Sequence, residues 1–211
     1  MKVIKPYKFL PKEEIESGAT DVFMPVQAKC KRPLKFPLDA GHLAEALGID
    51  MDCGNIPPDE QGAIAAMILP IDRKIVINEN SLEFPPGFEE SCTAHEIGHW
   101  ELHIDQNAVQ QVEEMKQDGK EIITEPFLCR NVNAQQGIEW QAQHFAACLL
   151  MPKFKLEEVQ RGRDLTNWRH LYAIRDEMGV TISNLTRRLQ DLGLIYIPRG
   201  TRQIYPGRAL S

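Results

Sequence analysis

The chain has 211 residues, 43% hydrophobic and 26% charged, with a net charge of −6, which suits one compact globular body with a small appended unit. No run approaches the apolar length of a membrane span, and the opening MKVIKPYKFLPKEE lacks the apolar core of a signal peptide, so a soluble cytoplasmic protein is expected. Five scattered cysteines (Cys30, Cys53, Cys92, Cys129, Cys148) form no C-x-x-C pair, which argues against a disulfide framework and against a cysteine metal site.

Residues 1–35 read as an N-terminal arm with a short helix near 12–18 and a basic turn, KCKRP, ending at Pro33. After Pro37, Asp39 is placed to cap a helix through His42, Leu43, Ala46 and Leu47 that stops at Gly48. His42 reads as an ordinary surface residue. A loop with Asn55 and Pro57-Pro58 leads to AIAAMIL (63–69), a turn over 70–73 and KIVIN (74–78), two apolar runs that predict a β-hairpin.

Pro85-Pro86-Gly87 breaks the chain, and Glu89 and Glu90 then stand where a helix dipole favours negative charge. The next stretch, TAHEIGHWELH (93–103), contains H-E-x-x-H. Four helical residues turn about 400°, so His95 and His99 share one face and can hold a single zinc ion. Glu96 beside them can act as general base toward water that the zinc acidifies, which is peptide-hydrolysis chemistry. Ala94, Ile97, Trp100 and Leu102 supply an apolar surround, and Gly98, costly in a helix interior, points to close packing on another backbone. In zinc peptidases of this broad type the strand beside the metal helix is often a sheet edge, so an extended substrate is expected along 74–78.

The helix should end near Ile104. Residues 105–137 are polar and irregular, with at most one amphipathic helix near 108–117, and read as a long surface excursion. IEWQAQHFAACLLMP (138–152) is a strong helix with Ala142, Phe145, Ala146, Leu149 and Leu150 on its buried side and Pro152 as its stop. Glu139 opens it. Taken alone, that glutamate is equally well a first-turn residue favoured by the dipole.

A catalytic zinc needs three protein ligands and an open fourth position. His103 is a poor third, because its Cα lies about 12 Å along the helix axis from that of His95. Glu139, from a separate helix, is the better choice. Here the chain resembles the ImmA/IrrE family of HExxH metallopeptidases, the likeness resting on AHEIGHWELH (94–103) and EWQAQHFAACLLMP (139–152), with weaker support from PLDAGHLAEALGID, Gly62 and KIVIN. The resemblance implies an α+β, zincin-like core over 36–155, zinc held by His95, His99 and Glu139, and Glu96 as catalytic base. It also implies a regulatory endopeptidase that cuts a helix-turn-helix repressor in phage, mobile-element, stress or toxin–antitoxin circuits. The chain departs from the family where Gln143 replaces the usual Asn and where Ser91-Cys92-Thr93 replaces a Phe-Thr-Leu-like run.

Residues 156–211 form the appended unit. LYAIRDEMGVTISNLTRRLQDLGLI (171–195) predicts a helix-turn-helix-like unit, two short helices around Gly179 with Thr181 or Ser183 capping the second, Leu185, Leu189 and Leu192 inward, and Arg187 and Arg188 as an exposed basic pair. From Pro152 onward eleven Lys and Arg face six Asp and Glu, against thirteen and twenty-four before it. A basic unit on an acidic body suits either DNA contact or docking on its own neighbour. Two rival functions follow: a DNA-binding regulator with a vestigial zinc site, and a non-catalytic partner-binding module. His103, His144, Arg169, His170 and Tyr172 are the candidates for stabilising a transition state.

Overall fold

The computed structural model describes residues 3–60, 62–80, 85–117, 127–130 and 137–207. They form a mixed α+β fold, with eight helices, a four-stranded sheet and a small two-stranded one. Of the 105–137 excursion, 118–126 and 131–136 lie outside the described residues; the rest includes a helix, α4 (Gln106–Gln117), and a strand, β4 (Phe127–Arg130). No helix among the described residues is long and apolar enough to cross a membrane.

The expected short helix of the N-terminal arm is instead a long one, α1 (Lys12–Lys29), with Pro25 inside it. A proline there lacks the N–H for the helical bond and ordinarily costs about 3 kcal/mol. Burial of Ile15, Ala19, Val22, Phe23 and Val26 along one stripe outweighs that cost. Gly18 does not end the helix; it sits against Phe145 and Leu102. The next helix, α2 (Ala40–Ala46), behaves as expected: Asp39 accepts the His42 N–H at 2.8 Å, and Gly48 turns the chain with φ of 74°.

The hairpin forms as β2 (Ile64–Leu69) and β3 (Lys74–Asn78), with Ile68 opposite Ile75 and Ala66 opposite Ile77. The expectation that β3 is an edge fails. A further strand, β1 (Asp50–Gly54), lies parallel to β3 from Asp50–Lys74 to Gly54–Asn78, giving the order β1-β3-β2-β4. β1 escapes sequence reading because its side chains are largely exposed, with no buried alternation to mark it. Backbone pairing and a 3.2 Å ion pair from Lys74 to Asp52 hold it in place.

On this sheet rests α3 (Phe88–Leu102), which packs on β2, β3 and β4 and is covered by α5 (Gly137–Leu150); α1 packs in turn on α5. The crossing of α3 and α5 is close because Gly98 has no side chain. A Cβ there would stand 3.1 Å from both Cα and O of Ala142 and 3.2 Å from Cβ of Phe145. That approach brings the first turn of α5 beside the histidines of α3.

After α6 (Lys153–Val159), the appended unit consists of α7 (Trp168–Met178), α8 (Ile182–Asp191) and a pair of two-residue strands, β5 (Ile195–Tyr196) and β6 (Tyr205–Pro206). Gly179 ends α7 with φ of 64°, and Thr181 caps α8 by accepting the Asn184 N–H at 3.2 Å. The unit shares the core of the body: one apolar cluster runs from Val3 to Ile204. Side chains at Gly87 and Gly179 would strike the Gly179 carbonyl and Pro37 respectively, so three turns interlock at the start of α3. Arg188 is not one of an exposed pair. Only 1% of it is accessible, and it donates to Glu16 Oε1 at 2.6 Å and to the Met151 carbonyl at 3.2 Å, whereas Arg187 is exposed.

Candidate metal centre

His95 and His99 face the same way from α3 because they are one helical turn apart, and both are buried, at 4% and 0% exposure. Glu139 reaches them from the first turn of α5. Its two carboxylate oxygens lie 3.1 Å from His95 Nε2 and 3.3 Å from His99 Nε2, and the two Nε2 atoms are 3.0 Å apart. One donor atom from each residue therefore falls within 4.8 Å of the others, a group that can hold a metal ion. The donor chemistry fits. Two imidazole nitrogens and a carboxylate oxygen on a tetrahedral ion with bonds near 2.0–2.1 Å are spaced about 3.3 Å apart, close to what is seen.

Electrostatics point the same way. Burial pushes the His99 imidazole down to about 4, so at neutral pH the ring is uncharged and one nitrogen offers a lone pair. Burial works against the Glu139 carboxylate, but its close polar contacts with the His95 and His99 rings outweigh it and hold the group well below 4.5. The cradle thus joins a neutral His99 ring and an anion to a second imidazole, a donor set suited to a dication. Its rim is open, because the Glu139 side chain remains 38% accessible while His99 closes the floor. Glu96 sits next to His95 on α3 and is fully enclosed, at 0% exposure.

The remaining candidates are placed elsewhere. His103 lies behind His99, ring against ring, with Nδ1 to Nδ1 at 3.1 Å. His144 stacks on Trp140 and faces Asp191 at 3.7 Å. The His170 ring meets the Asp164 backbone, Tyr172 lies between Trp168 and Arg175, and Arg169 is exposed. Sequence reading missed Gln141, which is wholly buried and bonds to His103 at 2.9 Å and to the Lys8 carbonyl at 2.9 Å. A signal existed: a glutamine on the apolar side of α5 has to find polar partners inside. Of the cysteines, Cys92 and Cys148 are buried free thiols, and burial pushes Cys148 up to about 12.

Removing a ligand should separate the cradle from its neighbours. Glu139→Ala is expected to lose stoichiometric zinc, measured by elemental analysis after gel filtration, whereas His103→Ala should retain a weakened site. Full zinc in Glu139→Ala together with none in His103→Ala would reverse the ligand assignment. No protein-family model matches this chain, and no curated protein matches it.

Proposed function

We propose that this chain is a zinc endopeptidase of regulatory type with a zincin-like core, acting in the cytoplasm on a protein substrate. The observation that carries the reading is the convergence of His95, His99 and Glu139 from two helices with Glu96 adjacent on the first. Zinc held there supplies Lewis acidity that acidifies water and polarises a peptide carbonyl. Glu96 takes the proton of the attacking water onto its carboxylate and delivers it to the departing amine nitrogen. Glu139 and the two imidazoles, fixed by the α3–α5 crossing, keep the ion in one place while the open rim admits the substrate.

An extended substrate does not pair with β3, which is enclosed between β1 and β2. Among the described residues β4 pairs with β2 alone, leaving its other edge open, and it packs against α3; we place the substrate backbone along it. The resemblance of AHEIGHWELH and EWQAQHFAACLLMP to ImmA/IrrE proteins supplies the substrate class, a helix-turn-helix repressor. The rival reading as a DNA-binding regulator loses half of its basic pair, because Arg188 is buried against Glu16.

The test is incubation of zinc-loaded protein with the repressor encoded beside it. A single cut made by wild type and not by Glu96→Gln supports the reading. An intact repressor with both proteins, together with tight specific DNA binding by the full chain, would replace it with the regulator.

A further inference from the structure

Behind the metal cradle runs a line of buried polar groups that ends on the backbone of the N-terminal segment. The Lys8 carbonyl can only accept, so the Gln141 amide must turn its NH2 toward it, at 2.9 Å. That fixes the other end of the amide: Gln141 Oε1 faces His103 Nε2 at 2.9 Å and can only accept, so the proton sits on His103 Nε2. A neutral His103 then has a bare Nδ1, which lies 3.1 Å from His99 Nδ1 and accepts its N–H. With its proton committed at Nδ1, His99 has its Nε2 lone pair facing His95 and Glu139. Every polarity in the line follows from one peptide carbonyl.

We propose that Gln141 and His103 are positioning residues that set the tautomer of His99 for metal binding, with the Lys8 carbonyl as their anchor. Neither touches the ion. A ligating histidine ordinarily donates its other ring nitrogen to an outer acceptor, and loss of that acceptor costs about 10–100-fold in metal affinity. Here the acceptor is a second histidine, itself oriented by a buried amide with 0% exposure. The anchor is firm. The segment carrying Lys8 is laced to the same end of α3 by Lys5 N–H to the His103 carbonyl at 2.8 Å, Asp105 N–H to the Val3 carbonyl at 2.8 Å, and Lys5 Nζ to the Glu101 carbonyl at 3.1 Å. Residues far from the metal in sequence, and offering it no ligand, thus help to set its affinity.

The inference rests on the metal reading of the cradle but not on proteolysis. In full-length protein labelled with 15N-histidine, at neutral pH, His103 is expected to carry its proton on Nε2 with and without zinc. In the zinc-loaded protein a coupling across the hydrogen bond should join His99 Nδ1 and His103 Nδ1. Zinc affinity, read by competition with a chromophoric chelator, should fall about 10–100-fold in Gln141→Leu. The loss should be smaller in Gln141→Glu, whose carboxylate still accepts the His103 proton. A His103 proton on Nδ1 in the wild type would overturn the proposal without recourse to any variant. So would wild-type zinc affinity in Gln141→Leu. A wild-type chain that takes up no zinc overturns the metal reading and this inference together; unchanged affinity in Gln141→Leu overturns this inference alone.

Discussion

Glu96→Gln is expected to retain zinc and fold while losing peptide hydrolysis by about 10²–10⁴-fold or more, the range attributed to a general base. The amide keeps the size and shape of the carboxylate, so the packing around a residue with 0% exposure is preserved. What it loses is the capacity to hold a proton between the attack of water and the departure of the amine. Turnover of a fluorogenic peptide or of the repressor, normalised to bound zinc, checks this directly. Undiminished turnover at full zinc would remove Glu96 from the mechanism and leave the cradle with some other base.

Glu16→Ala is expected to cost about 3–5 kcal/mol, because it leaves the Arg188 guanidinium, 1% exposed, without its anion. The penalty is that of a stranded charge, not of the pair as a whole. Consequently Glu16→Leu combined with Arg188→Met should be more stable than Glu16→Leu alone. Urea unfolding at neutral pH would measure both. The pH dependence has a definite sign. Burial pulls the Glu16 carboxyl up, but hydrogen bonds from Arg188 and Lys153 outweigh it and hold it below its ordinary 4.5. Its stabilisation is therefore complete above about 4.5 and is lost as the pH falls through the lower folded value. Wild type and Glu16→Gln should differ at pH 7 and converge in acid. A difference that persists unchanged at low pH would show that Glu16 acts through packing.

The parts of this molecule that announce themselves in sequence are those where one strong local rule operates. The Asp39 cap, the β2–β3 hairpin, the break at Pro85-Pro86-Gly87 and the apolar stripe of α5 each follow from a turn residue or a periodicity, and each is present. Gly98 was legible too, since glycine in a helix interior implies a near neighbour, and Ala142 is that neighbour. The failures come where a distant partner decides. β1 exists because β3 offers it a ladder, not because Asp50 and Asp52 favour a strand. Pro25 is tolerated because the stripe on α1 is buried against α5 and the surrounding core. Arg188 looked like a surface cation until Glu16, 172 positions earlier, supplied its counter-charge. Of the metal cradle, His95, His99 and Glu139 could be chosen from spacing and coordination chemistry. The line through Gln141 to Lys8 could not, because it joins groups 133 positions apart through a carbonyl that every residue has.

The ion pair between Glu16 and Arg188 also sets an order of events while the chain is being made. At translation rates of about 5–20 residues per second, the arginine leaves the ribosome roughly 10–30 seconds after the glutamate it will neutralise. The three groups that can hold a metal, and the glutamine behind them, have all been synthesised by residue 141. A growing chain therefore possesses its donors before it possesses the helix that locks α1 down.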